Sequence, residues 1–77
     1  MTAMDNEISI DVCGLEPPEP LERVLDALSE LAPGQQLRML IDREPRPLYA
    51  ILQQNGFTYE QHERPDQLYE ILIRYRQ

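Results

Sequence analysis

From Glu7 onward the apolar positions of this chain change period several times, and each change marks an element. EISIDV alternates, with Ile8, Ile10 and Val12 on one side and Ser9 and Asp11 on the other. A period of two is that of a half-buried strand, and Gly14 ends it. Leu21, Val24, Leu25, Leu28 and Leu31 then recur at spacings of three and four. That spacing predicts a helix with all five on one buried stripe and Glu22, Arg23, Asp26, Ser29 and Glu30 on the wet side. Ala32-Pro33-Gly34 stops it. QLRMLID returns to alternation, with Leu37, Met39 and Ile41 on one face. A second helix is predicted over Pro45–Asn55, with Leu48, Ile51 and Leu52 inward. Asn55-Gly56 ends it, because glycine takes the left-handed conformation at little cost. FTYEQHE and LYEILIRY read as two strands. They are joined by Arg64-Pro65-Asp66-Gln67, in which proline followed by aspartate suits a type I turn.

The order is βαβαββ. Short connections between such elements predict an α/β two-layer sandwich with a mixed four-stranded sheet and both helices on one face. One domain is expected over residues 1–77, with residues 1–6 disordered. The helices are expected to cover the Leu37/Met39/Ile41 side. Leu40 and Leu72 then face outward among Arg38, Glu70 and Arg74, where two leucines in a charged frame are either ordinary surface or a weak homodimer contact. Tyr69, Ile71, Ile73 and Tyr75 share one face of the last strand and read as core.

One phrase occurs twice. PEPLERVL (18–25) and PRPLYAIL (45–52) both follow P-x-P-L-x-x-[V/I]-L. Proline presets the helical φ angle and lacks only an N–H that a first turn leaves unpaired. Acidic residues near the start, here Glu16, Glu19 and Glu44, meet the positive end of the helix dipole. If the first two strands are parallel, joined by a right-handed crossover, both strand-to-helix loops leave the same edge of the sheet. Ligands of open α/β sheets favour that edge. Glu16, Pro17, Glu19, Arg43, Glu44, Arg46 and Tyr49 are therefore expected to share one surface, with Arg43 and Arg46 facing Glu16 and Glu19 across it.

Charge narrows the partners. Fourteen acidic residues against seven arginines and no lysine leave a formal net charge of −7. That balance argues against nucleic acid and against anionic membrane surfaces, because phosphate contacts dominate both. No apolar run is long enough to span a membrane, and MTAMDNEIS does not read as a signal peptide, so a cytoplasmic setting is expected. With 77 residues and one cysteine, Cys13, the chain has no internal disulfide. With His62 as the only histidine, no cysteine- or histidine-rich metal site is expected, and no cofactor.

The run DVCGLEPPEP resembles the opening motif of the TusA/SirA family of small sulfur-carrier proteins, a strand followed by G-L-x-C-P-x-P and a helix. Gly14, Leu15, Pro18 and Pro20 match that motif, and PGQQLRMLID resembles the family's second strand. The resemblance covers nearly the whole chain in element order. GLEPPEP together with DREPRPLY looks more like a related uncharacterised branch of TusA-like bacterial proteins. Pro17 stands in the place of the family's cysteine. A thiolate at a helix N-terminus has a lowered pKa and carries sulfur, and proline has no nucleophile, so the carrier role does not transfer to Pro17.

Cys13 lies four positions earlier, at the end of the first strand, and reads as a small buried hydrophobe sooner than as a substitute carrier. Glu16, Glu19, Glu22 and Glu44 can bind a cation or act as acid and base, but their spacing is that of a solvated rim. His62 alternates with Thr58 and Glu60 on an exposed strand face, which is ordinary decoration. The leading expectation is a noncatalytic binding module that uses the double P-x-P edge for a protein partner or a small anionic ligand. Sulfur transfer through Cys13 is the alternative, and an enzyme using Glu16, Glu19 and Glu44 is a weaker one.

Overall fold

The structure, a computed structural model, describes residues 6–76. The disorder expected for residues 1–5 falls outside them. At residue 6 the chain is already anchored, since the Asn6 carbonyl accepts the Gln36 N–H at 2.8 Å.

Six elements follow in the expected order: β1 (Glu7–Asp11), α1 (Glu19–Ser29), β2 (Gln36–Ile41), α2 (Arg46–Gln54), β3 (Phe57–Glu63) and β4 (Tyr69–Tyr75). The four strands form one mixed sheet in the order β1-β2-β4-β3. β1 and β2 are parallel, with Ile8 opposite Leu37 and Ile10 opposite Met39. β4 runs antiparallel to both of its neighbours, with Ile71 opposite Met39 on one side and Gln61 on the other. Val12 lies just past the end of β1, yet its N–H still reaches the Leu40 carbonyl at 2.9 Å.

The predicted faces explain the layers. Leu37, Met39 and Ile41 of β2 and Ile71 and Ile73 of β4 lie beneath the helices and are buried. Val24 and Leu28 of α1 and Leu48 and Leu52 of α2 close this core from above, with Val12, Leu31 and Phe57 at its margins. α1 rests on β1 and β2, and α2 on β3. Tyr69 and Tyr75 are half-buried against the same core, and the Tyr75 hydroxyl donates to the Leu31 carbonyl at 2.9 Å, tying the last strand to the end of α1.

One member of the α1 stripe departs from expectation. Leu25 is 42% exposed. Val24 and Leu28, four apart, point straight at the sheet. Leu25, a step of 100° around the helix from Val24, looks along the layer toward α2 instead.

The hairpin between β3 and β4 closes with Arg64 N–H on the Leu68 carbonyl at 2.8 Å and Gln67 N–H on the Arg64 carbonyl at 3.0 Å. Gln67 is left-handed, with φ of 70°. A turn followed by one left-handed residue is a common three-residue hairpin loop. Asp66 holds it in place by accepting the Leu68 N–H at 3.2 Å and pairing with Arg64 at 3.0 Å.

The outer face of the sheet is polar. Arg38 bridges Glu7 at 3.0 Å and Glu70 at 2.7 Å, and Arg74 reaches Glu60 at 3.4 Å. Leu40 and Leu72 are half-buried within that frame.

The two leucines of α1 separate core from surface. Leu28→Ala is expected to destabilise by about 2–5 kcal/mol, the cost of lost burial plus a cavity. Leu25→Ala is expected to stay within about 0.5 kcal/mol of the parent. Urea denaturation of both variants measures the difference; equal losses would show that Leu25 belongs to the core.

Candidate functional site

Both loops that follow β1 and β2 leave the sheet at one edge because the two strands are parallel. Gly14 takes φ of +78°, a conformation open to glycine at no steric cost. In that turn its N–H points at the second loop and donates to Asp42 Oδ2 at 3.0 Å. The Cys13 N–H donates to Asp11 Oδ1 at 2.9 Å within the first loop. The first bond holds the loops side by side, and the second fixes the turn of the first loop.

The repeated phrase occupies the same structural register in both helices. Pro18 and Pro45 are the N-cap residues, and Pro20 and Pro47 stand second within each helix. Neither cap has a side-chain hydrogen bond. The cap carbonyls serve instead: Pro18 accepts Glu22 N–H at 3.1 Å, and Pro45 accepts Leu48 N–H at 3.0 Å. Pro20 and Pro47 remove donors that would have had no partner in a first turn. The Pro17–Pro18 peptide bond is cis.

Between the two helix starts lies an apolar groove of about 260 Å³. Five prolines line it, Pro17, Pro18 and Pro20 on the α1 side and Pro45 and Pro47 on the α2 side. Leu21 and Leu48 form its walls, and Val24, Met39 and Ile41 its floor. Arg43 and Glu44 are the charged groups on its rim.

Of the residues expected on this edge, Pro17, Arg43 and Glu44 line the groove, whereas Glu16, Glu19, Arg46 and Tyr49 lie around it without lining it. The expected pairing of Arg43 and Arg46 with Glu16 and Glu19 is not what forms. Three of the four charges find a partner on their own segment: Arg46 Nε donates to Glu44 at 3.0 Å, Arg43 lies 3.9 Å from Asp42, and Glu19 pairs with Arg23 one turn along at 3.4 Å, whereas Glu16 makes no ion pair among the described residues. Each of these pairs joins residues one to four apart in sequence, which need no reach across the groove. Glu44 also accepts Gln61 Nε2 at 3.1 Å and the Tyr49 hydroxyl at 3.5 Å. Tyr49 turns away from the groove and stacks on Tyr59, with ring centroids 4.4 Å apart and planes within 5°. Burial, and then the Glu44 charge, push the Tyr49 phenol up to about 12.

Cys13 is half-buried in the loop after β1, outside the first turn of α1. Burial pushes its thiol up to about 11, helped by the hydrogen bond to Asp11 and the charges of Asp11, Asp42 and Asp66. That environment is the reverse of the one that activates a cysteine. His62 sits on the outer face of the sheet, exposed, 3.4 Å from Glu60. Among the described residues no group of three or more His, Cys, Asp or Glu side chains is placed to hold a metal ion. No helix among them is long and apolar enough to cross a membrane.

A four-stranded mixed sheet with two helices on one face, opening at the edge where a glycine-proline loop starts α1, defines a SirA-like fold. The crystal structure of a SirA-like protein from Desulfitobacterium hafniense is similar to it, with a TM-score of 0.75 and 26% sequence identity over 84% of this chain and 92% of that one. The chain belongs to the family described as uncharacterized conserved protein DUF2249, whose profile matches residues 9–75. No curated protein matches it.

Two measurements check this description of the edge. Pro20→Ala and Pro47→Ala are each expected to lower stability by about 0.4–1 kcal/mol, through the added freedom of the unfolded chain. A much larger loss in urea denaturation would mean that the rings carry the packing of the helix starts. For Cys13, the thiolate fraction at neutral pH is expected to be about a hundredfold below that of a thiol titrating at the usual 9.0. Its alkylation rate should therefore keep rising with pH up to about 11, and Asp11→Asn should move that rise to lower pH. A profile that levels off near 9.0 would contradict the account of its surroundings.

Proposed function

We propose that this protein is a noncatalytic binding module that receives an apolar segment of a protein partner in the groove between its two P-x-P helix starts. The observation that carries this reading is the groove itself: five prolines and the half-buried Leu21, preorganised by two rigid helix starts, open at one edge over the buried Leu48. Apolar surface held open by rigid backbone loses little entropy on binding. The groove offers no nucleophile and no proton-transfer pair. Pro17, which the family resemblance sets in place of the carrier cysteine, contributes only ring surface.

The other readings draw no comparable support. Sulfur transfer through Cys13 would need a thiolate, and burial and three aspartates oppose one. An enzyme using Glu16, Glu19 and Glu44 would need them to converge, yet Glu19 is engaged with Arg23 and Glu44 with Arg46.

Site-specific photo-crosslinking tests the reading. A benzophenone side chain at position 43 is expected to yield discrete protein adducts in native lysate, and the same group at position 62 is not. Pro20→Ser with Pro47→Ser, which leaves serine in tolerated first-turn positions, should abolish those adducts while the circular dichroism spectrum stays unchanged. Equal adducts from both positions, or adducts indifferent to the double substitution, would place recognition elsewhere. Intact-mass analysis after incubation with a sulfur donor should show no added sulfur; a stoichiometric gain lost in Cys13→Ser would restore the carrier reading.

A further inference from the structure

Past the proline-lined groove, the seam between the helices opens a second time. A shallow concavity of about 390 Å³ is lined by Leu25 and Leu28 of α1, Ile51 and Leu52 of α2, and Phe57 of β3. β1, β2 and β3 all point the same way, so α1 and α2, which return between them, run side by side in one direction. The proline groove sits at their N-terminal ends and the second concavity toward their C-terminal ends.

Leu21 borders the first opening and Leu28 the second. At a rise of 1.5 Å per residue, these two leucines stand about 10.5 Å apart along the helix. That is also the separation of residues i and i+7 on any helix laid along the seam. A residue at i+3 or i+4 would then rest at the near edge of the second opening, against Leu25, the exposed leucine of α1.

The two walls of the seam differ in charge. From Glu16 to Leu31 the α1 side carries Glu16, Glu19, Glu22, Asp26 and Glu30 against Arg23 alone. Glu19 is paired with Arg23; Glu16, Glu22, Asp26 and Glu30 are exposed and make no ion pair among the described residues. The α2 side carries Arg43, Glu44 and Arg46, then uncharged Gln53, Gln54 and Asn55. Neither helix has a basic residue in its last turn, so the negative ends of both dipoles border the second opening. Arg76 meets part of that charge by donating to the Gln53 carbonyl at 2.8 Å.

We infer that the interhelical seam binds an amphipathic helix of a protein partner. Its apolar residues stand at i, i+3 or i+4, and i+7, and its lysines or arginines lie along the flank that covers α1. This deepens the reading of the proline groove and rests on it, since the i residue fills that groove. Apolar anchors supply the affinity and the one-sided charge sets the orientation and speeds encounter. A second copy of this chain is a poor occupant, because it brings a net charge of −7 to an acidic wall.

The test uses a fluorescein-labelled synthetic helix with leucines at i, i+4 and i+7 and lysines along one flank, titrated with the whole chain by fluorescence anisotropy. A matched peptide with glutamates in place of the lysines is the control. The lysine peptide is expected to bind and to weaken with salt, and the glutamate peptide is expected not to bind. Leu25→Gln, a change at an exposed position, should weaken binding about tenfold or more, and Glu22→Lys with Asp26→Lys should do the same. Pro20→Ser with Pro47→Ser should weaken it as well. If only the proline variant weakens binding, the seam inference falls and the groove at the helix starts stands. If the glutamate peptide binds equally well, or the lysine peptide does not bind, the inference falls. If the peptide binds and no variant changes its affinity, both the seam and the groove fall.

Discussion

The parallel ladder between β1 and β2, from Glu7 opposite Gln36 to Asp11 opposite Leu40, sends two chain segments out of the sheet at one edge. Both must then turn back over the same face, and both do so as helices that begin with proline. The groove, the shared rim of charges and the side-by-side run of α1 and α2 all follow from that pairing. An antiparallel β1 would have delivered the two proline phrases to opposite edges, where neither could face the other. Gly14 and Asp42 make the arrangement specific, because the hydrogen bond between the two loops forms only when they emerge together.

Stability and recognition draw on different parts of the helices. Val24, Leu28, Leu48 and Leu52 point down into the sheet and are buried. Leu21, Leu25 and Ile51 are turned toward the gap between the helices and are half-buried or exposed. Each helix is held by the strands beneath it, α1 by β1 and β2 and α2 by β3. The gap therefore costs the core little, and apolar surface remains along it. The outer face of the sheet behaves in the opposite way. Its charges are paired across strands, Arg38 with Glu7 and Glu70 and Arg74 with Glu60, which leaves Leu40 and Leu72 half-covered by their neighbours.

At this edge Pro17 is exposed and contributes a ring to the groove. The start of α1 presents carbon to solvent there, from Pro17 and Pro18. Cys13 lies before this helix start, in the loop that follows β1. The dipole of α1 does not reach it, and three aspartates and partial burial favour its neutral form.

Periodicity alone determined the six elements, their order and nearly all of the core, because strand and helix spacings in this chain are regular and each break carries glycine or proline. The repeated P-x-P phrase was legible too, and with a parallel pairing it located the edge. Three features were decided only by the tertiary structure. Leu25 has the spacing of a core residue, but its burial depends on how far α2 stands from α1, which no local pattern encodes. The arginines Arg43 and Arg46 were expected to meet Glu16 and Glu19 across the edge; each instead settles on an acid one or two residues away in sequence, a choice that the side-chain geometry of the folded loop makes. The groove itself was hidden because its walls, Pro18, Pro20, Leu21, Pro45, Pro47 and Leu48, each have a sufficient local reason to exist. Proline starts a helix and leucine faces a core, and only the distance between two such starts turns them into a binding surface.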